Sequence, residues 1–212
     1  MIYLSNELWF PNPFETGQDG LLAVGGDLSI ERLLLAYRSG IFPWFNDGDP
    51  ILWWSPDPRM VLFPEKLKVS KSLRRLINQD KFEISFNKAF AEVIQHCALI
   101  NREGQAGTWI TDDMLEAYQR LHDHGHAQSV EVWENGKLVG GLYGIDLPDQ
   151  KVFCGESMFS EVSNASKVAL YFMVKALKSR DYKLIDCQVY NPHLESLGAE
   201  EIAQLEFMKY LG

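Results

Sequence analysis

Apolar and polar residues alternate over 82–86 and 129–133, and short, mostly apolar runs, which suit buried strands, fill 60–63, 137–146, 151–159 and 182–189. A period of two is what a strand with one buried face requires, so these segments are predicted strands. Between them the apolar period changes to three and four. Ala165, Val168, Ala169, Phe172 and Ala176 share one face of a helix expected from Asn164 to about Arg180. Ser70 is placed to cap a short basic helix, residues 87–99 read as helical, and Thr111 is placed to cap a helix running to about His124. Asn135-Gly136 tolerates the positive backbone angles of a two-residue hairpin, so 129–133 and 137–146 are expected to pair antiparallel. Pro148-Asp149 makes the next turn, and a short helix is expected near His193. The pattern predicts an α+β sheet with helices packed on it.

The first 58 residues have a different texture. They hold most of the prolines and four of the six tryptophans. One helix is legible there, with Ser29 as its cap, Leu33, Leu34 and Tyr37 on its apolar face and Gly40 as its stop. The rest reads as aromatic loops fixed by proline. The expected organisation is a small, loop-rich N-terminal domain, 1–58, on a larger domain, 59–212.

Composition narrows the function classes. The 212 residues are 46% hydrophobic and 23% charged, ordinary for a soluble globular protein. No apolar run reaches the roughly 18 residues of a membrane span, and the N-terminus lacks a signal peptide's basic start and apolar stretch. Cys97, Cys154 and Cys187 have no metal-ligand spacing and fit reduced thiols in the cytoplasm. A net charge of -9 argues against nucleic-acid binding by the molecule as a whole. Charge is segregated, however: Lys66, Lys68, Lys71, Arg74 and Arg75 fall in one stretch without an acid, whereas the tail from Leu194 is rich in glutamate. That stretch is either a local anion-binding patch or a solvated helix face.

Candidate chemistry sits in the apolar strands. Asp186 and Gln188 share a strand face by the period of two, and Glu156 is the one acid in another mostly apolar strand. A buried carboxylate is costly unless something pairs with it, so each is either a catalytic group or half of a structural pair. Cys154 and Cys187 in such strands are small hydrophobes more than nucleophiles. His122 and His126 lie one helical turn apart, but no third metal ligand follows. Gly140, Gly141 and Gly144 lie within a hairpin strand and do not form a phosphate-binding turn at a helix start. The aromatic, proline-fixed segments 42–45 and 53–59 form either a miniature core or a stacking wall for a ligand.

Seven segments, in order, carry a resemblance: Gly25-Gly26-Asp27-Leu28-Ser29, Gly40-Ile41-Phe42-Pro43-Trp44-Phe45, Trp53-Trp54-Ser55-Pro56-Asp57-Pro58-Arg59, Gly107-Thr108-Trp109-Ile110-Thr111, Gly155-Glu156-Ser157-Met158-Phe159-Ser160, Asn164-Ala165-Ser166-Lys167 and Ile185-Asp186-Cys187-Gln188-Val189. Together they resemble the bacterial leucyl/phenylalanyl-tRNA–protein transferases. The resemblance implies a GNAT-like N-acyltransferase fold that carries the small N-terminal domain. It implies transfer of leucine or phenylalanine, and less readily methionine, from aminoacyl-tRNA to the N-terminus of proteins beginning with Arg or Lys, which marks them for degradation by the N-end rule. It implies no cofactor, no metal and a monomer. By position, Leu142, Phe153, Met158, Leu170, Met173 and Ile185 would line the aminoacyl pocket. Trp44 and Trp109 would surround the terminal adenosine, Asp186, Gln188 and Glu156 would be catalytic, and Lys66, Lys68, Lys71, Arg74 and Arg75 would meet the acceptor stem. Asp186 would act as a base through Gln188 or pair with the acceptor's basic side chain. Met173 stands where a phenylalanine is expected. A related transferase with another acceptor, or a non-catalytic module that binds tRNA or protein N-termini, are the competing readings.

Overall fold

The structure, a computed structural model, describes residues 2–17, 19–79, 81–99 and 110–212. The first lobe is more regular than its proline content suggests. Strands β1 (Ile2–Leu4), β2 (Leu21–Gly25), β3 (Phe42–Pro43) and β4 (Leu52–Trp54) form a four-stranded sheet in the order β1-β2-β4-β3. The expectation of one helix among loops is therefore corrected. These strands are two to five residues long, too short for a period of two to register in the sequence. Helix α1 (Ile30–Arg38) is capped as expected, the Ser29 hydroxyl accepting from the Arg32 N–H.

The second sheet has seven strands: β5 (Arg59–Leu62), β6 (Glu83–Phe86), β7 (Ala127–Glu134), β8 (Lys137–Leu147), β9 (Val152–Ser160), β10 (Leu184–Gln188) and β11 (Glu200–Ile202). Their order is β11-β5-β10-β9-β8-β7-β6. Only β9 and β10 run parallel; the crossover between them is α5 (Ala165–Lys178). Helices α2 (Lys71–Asn78), α3 (Phe90–Leu99), α4 (Asp112–Asp123), α6 (Pro192–Ser196) and α7 (Gln204–Met208) complete the fold. The result is a mixed α+β architecture, as the sequence pattern predicts.

Ser70 and Thr111 cap α2 and α4 through the N–H groups of Leu73 and Met114. Two helix starts lie later than the sequence suggests. Asn87 takes a left-handed φ of 57°, and its side chain accepts from the Ser129 N–H on β7, so α3 begins only at Phe90. Asn164 is left-handed as well (φ 69°) and makes no side-chain cap; the Ser160 hydroxyl accepts from the Ser166 N–H instead.

Glycines in β8 set how closely its neighbours approach. A Cβ on Gly140 would lie 2.4 Å from the Ala165 Cβ, and one on Gly144 would lie 2.2 Å from the Cys154 carbonyl oxygen. The glycine-rich strand thus seats α5 and lets β9 fold inward.

Two apolar clusters cover the faces of the large sheet. One joins Phe90, Tyr118, Tyr143 and Phe207 to Leu33, Tyr37, Phe42 and Trp53 of the first lobe. The other lies under α2 and α5 and includes Leu73, Phe153, Val168, Met173 and Ile185.

Candidate active site

Strands β9 and β10 stay in register only from Leu184–Val152 to Asp186–Cys154. Beyond that point both lose regularity. On β9, Gly155 pairs with Gly144 and Ser157 with Tyr143, so Glu156 is an additional residue at a bulge. On β10, Asp186 pairs with Val61 and Gln188 with Met60, leaving Cys187 as the additional residue, and Gln188 adopts φ 66°. Bulges bend strands and re-aim side chains.

A cavity of about 440 Å³ occupies this region. Its lining draws on both apolar clusters, as a passage between the two faces of the sheet would. Leu142, Phe153, Met158, Leu170, Met173 and Ile185 all line it, so the six positions named for a side-chain pocket are brought together. Phe42, Trp44, Glu156 and Gln188 also line it, and Asn191, His193 and Leu194 of the α6 region join them. Trp44 is partly exposed, and its carbonyl accepts from the Trp54 indole at 2.6 Å. Trp109 lies outside the described residues. Lys66, Lys68, Lys71, Arg74 and Arg75 are exposed on and before α2, away from the cavity lining. Lys66 is paired with Glu200; among the described residues, Lys68, Lys71, Arg74 and Arg75 have no carboxylate at ion-pair distance.

Asp186 is 1% exposed and not part of the cavity lining. Its carboxylate takes a two-pronged contact from the buried Arg59 guanidinium, at 2.8 Å from Nε and 2.7 Å from Nη2. Arg59 Nη1 donates to the Gly40 carbonyl at 3.2 Å, and the guanidinium lies 4.7 Å from each of the Phe42 and Phe207 ring centroids. Asp186 Oδ1 also accepts from the Gln188 N–H at 2.9 Å, fixing the left-handed turn at the end of β10.

The Gln188 side chain continues the network. Its Nε2 donates to Glu156 Oε1 at 2.8 Å, while the Tyr118 hydroxyl donates to Oε2 at 3.1 Å. The Tyr118 hydroxyl is hydrogen-bonded in turn to that of Tyr37 on α1. Glu156 thus has neutral partners only, and burial pushes its carboxyl up from 4.5 to about 8, with Asp186 adding to the rise and the hydroxyls and the amide opposing it. Burial also raises both tyrosine hydroxyls and the Cys154 thiol, with the Glu156 charge contributing to each. Of the two carboxyls in the network, Asp186 is ion-paired with Arg59, and Glu156 is the one able to exchange a proton near neutrality.

Sequence reasoning missed Arg59, Tyr37 and Tyr118. A buried acid in β10 signals that a cation must exist, and Arg59, opening an otherwise apolar strand, was the available signal. Nothing in the helical periodicity distinguishes Tyr37 or Tyr118 from ordinary core residues. Among the described residues no three His, Cys, Asp or Glu side chains group as metal ligands, and no helix is long and apolar enough to cross a membrane.

Residues 61–212 match the family described as leucyl/phenylalanyl-tRNA protein transferase, and residues 26–57 match that family's N-terminal domain. A leucyl/phenylalanyl-tRNA–protein transferase of Flavobacterium johnsoniae is 60% identical over 211 residues, covering 100% of this chain and 99% of that one. One from Syntrophobacter fumaroxidans is 55% identical over 208 residues, 98% and 88% of the two chains. Among solved structures, a GCN5-related N-acetyltransferase from Kribbella flavida is similar with a TM-score of 0.41 at 11% identity, over 80% of this chain and 60% of that one.

Proposed function

The chain belongs to the leucyl/phenylalanyl-tRNA–protein transferase family and is an aminoacyltransferase, and from that premise we propose how its cavity does the work. It transfers leucine or phenylalanine, and less readily methionine, from aminoacyl-tRNA to the N-terminal α-amine of cytoplasmic proteins that begin with Arg or Lys. It acts as a monomer of two units, 1–58 and 59–212.

The observation that carries this reading is the joining, in one cavity, of an apolar wall to the Glu156–Gln188 pair. The aminoacyl side chain enters between Phe153, Met158, Met173 and Ile185, losing water as it does so. An ester is already activated, so the acceptor need only bring a deprotonated amine to its carbonyl carbon. Trp44 flanks the terminal adenosine. The exposed cations of α2 and the segment before it hold the acceptor stem by its phosphates. Asp186, occupied by Arg59 on both oxygens, serves by fixing the Gln188 backbone, so Gln188 and Glu156 are the groups that meet the substrates.

Transfer of radiolabelled leucine from leucyl-tRNA to a peptide with N-terminal arginine, beside one with N-terminal alanine, tests the reading. Label on the arginine peptide alone supports it. Label on both transfers the protein to a broader acceptor class, and label on neither, with tRNA still bound, reduces it to a binding module.

A further inference from the structure

Glu156 lines the cavity, and its Oε2 also meets a pair of tyrosine hydroxyls outside the cavity lining. Tyr118 of α4 and Tyr37 of α1 are 0% and 2% exposed, and their hydroxyls meet behind the carboxyl. We propose that Tyr118, backed by Tyr37, is a positioning residue of the transfer reaction: the hydroxyl pair holds the Glu156 carboxyl so that it takes a proton from the attacking α-ammonium. This rests on the function proposed above and adds Tyr118 of α4 and Tyr37 of α1, neither of which lines the cavity.

The argument is one of hydrogen-bond polarity. A hydroxyl can both donate and accept. With Glu156 ionised, Tyr37 donates to Tyr118 and Tyr118 donates to Oε2. With Glu156 protonated, the same chain reverses and the carboxyl donates outward. The ionised state pairs both hydroxyl hydrogens, whereas the protonated state adds a third hydrogen to the same two contacts, so the hydroxyl pair favours the carboxylate and offsets part of the effect of burial. A cation in that place would lock the carboxyl as an anion. The nearby cation, Arg59, is bound to Asp186 on the adjoining strand. The other titratable groups around Glu156 are Asp186, whose charge adds to the rise, Cys154 of β9, whose thiol burial pushes up, and His193 of α6 on the same cavity wall, which burial pushes down. Burial also brings the carboxyl close to the roughly 7.7–8.0 of a free α-ammonium. Proton transfer between them is then nearly level in energy.

The step balances. Glu156 carboxylate takes one proton from the ammonium. The amine nitrogen bonds to the ester carbonyl carbon, the bond from that carbon to the ribose oxygen breaks, and the nitrogen's second proton passes to the departing oxygen. Glu156 then returns its proton to solvent.

The test is the pH profile of single-turnover transfer, measured on the full chain with leucyl-tRNA and an arginine peptide. Tyr118→Phe removes a donor that favours the carboxylate, so its rising limb moves to higher pH by on the order of one unit, a roughly tenfold loss at pH 7 that is recovered in alkali. Tyr37→Phe removes the other hydroxyl that favours the carboxylate, moves the limb the same way and guards against a folding defect in the first variant. An unmoved limb in both folded variants overturns the proposal. Infrared titration of the protonated-carboxyl band in free protein, with Glu156→Gln as the blank, needs no substrate. A band that shifts with Tyr118→Phe supports the hydroxyl contact to Glu156 independently of transfer, so absent labelling then overturns the proposed function and not the contact; a band unchanged by that substitution overturns the positioning role even if the wild-type protein labels the peptide.

Discussion

Arg59 and Asp186 place a full positive and a full negative charge, each 1% exposed, in direct contact. Such a pair adds little net stability when whole, but half of it is expensive. Arg59→Met is expected to destabilise the protein by about 3–5 kcal/mol, because it leaves the Asp186 charge buried alone. Urea unfolding reads this directly, and Asp186→Asn added to Arg59→Met should recover part of the loss. Glu156 behaves differently with pH. Its folded value of about 8, against 4.5, means that the folded protein holds the proton more tightly. Between pH 4.5 and 8 the folded state then binds more protons than the unfolded one, and stability falls as pH rises. Glutamine mimics the protonated carboxyl, so Glu156→Gln should melt close to wild type near pH 4.5 and higher at pH 9, by at least roughly 2–4 °C. Equal melting temperatures at pH 9 would contradict the assigned environment. At this scale the sequence disclosed that Asp186 and Glu156 sit in apolar strands and need partners. It did not disclose the partners, because Arg59 is 127 positions from Asp186 and Tyr118 is 38 from Glu156, and a period of two says nothing about what faces a strand across space.

Elements that combine a clear period with a specific turn were readable: β7 and β8 with their Asn135-Gly136 hairpin, α4 with its Thr111 cap, and α5, although its buried face continues from Ala165, Val168 and Ala169 through Leu170, Met173, Val174 and Leu177 while Phe172 and Ala176 are only half-buried. The bulges at Glu156 and Cys187 were not, since each breaks the alternation by a single residue whose cause is the pairing with β8 and β5. Gly144 belongs to the same irregular region. An alanine there would set its Cβ 2.6 Å from the Phe153 ring as well as against the Cys154 carbonyl, with backbone on one side unable to give way. Gly144→Ala should cost about 1–3 kcal/mol or more by overpacking and lower transfer together with stability. Circular-dichroism melts beside the transfer assay check both. Met173 offers the opposite experiment. It is 2% exposed, lines the cavity and can flex. Met173→Phe fills space that a phenylalanyl group would use, so the ratio of kcat/KM for Leu-tRNA over Phe-tRNA should rise by about tenfold, within the range a hydrophobic pocket can impose.

Charge is a property of the molecule as a whole, and here the total misleads. A protein of net charge -9 carries Lys68, Lys71, Arg74 and Arg75 exposed and without carboxylate partners among the described residues. Reversing Lys71, Arg74 and Arg75 to glutamate should weaken tRNA binding and flatten the plot of log affinity against log salt by about 2–3 units, as expected for up to three lost phosphate contacts. An unchanged slope would remove α2 from the tRNA path. The location of this run on a short helix was evident from Ser70 as its cap. Its separation from the cavity was not, because that depends on strand order. The apolar cluster that runs from Leu33 and Tyr37 through Phe42 to Tyr118 and Phe207 has its own consequence. Neither sheet can shed its neighbour without exposing that shared interior to water. Calorimetry should therefore record one endotherm, and a protease that nicks the chain near Asp57 should leave two pieces that remain associated until both melt.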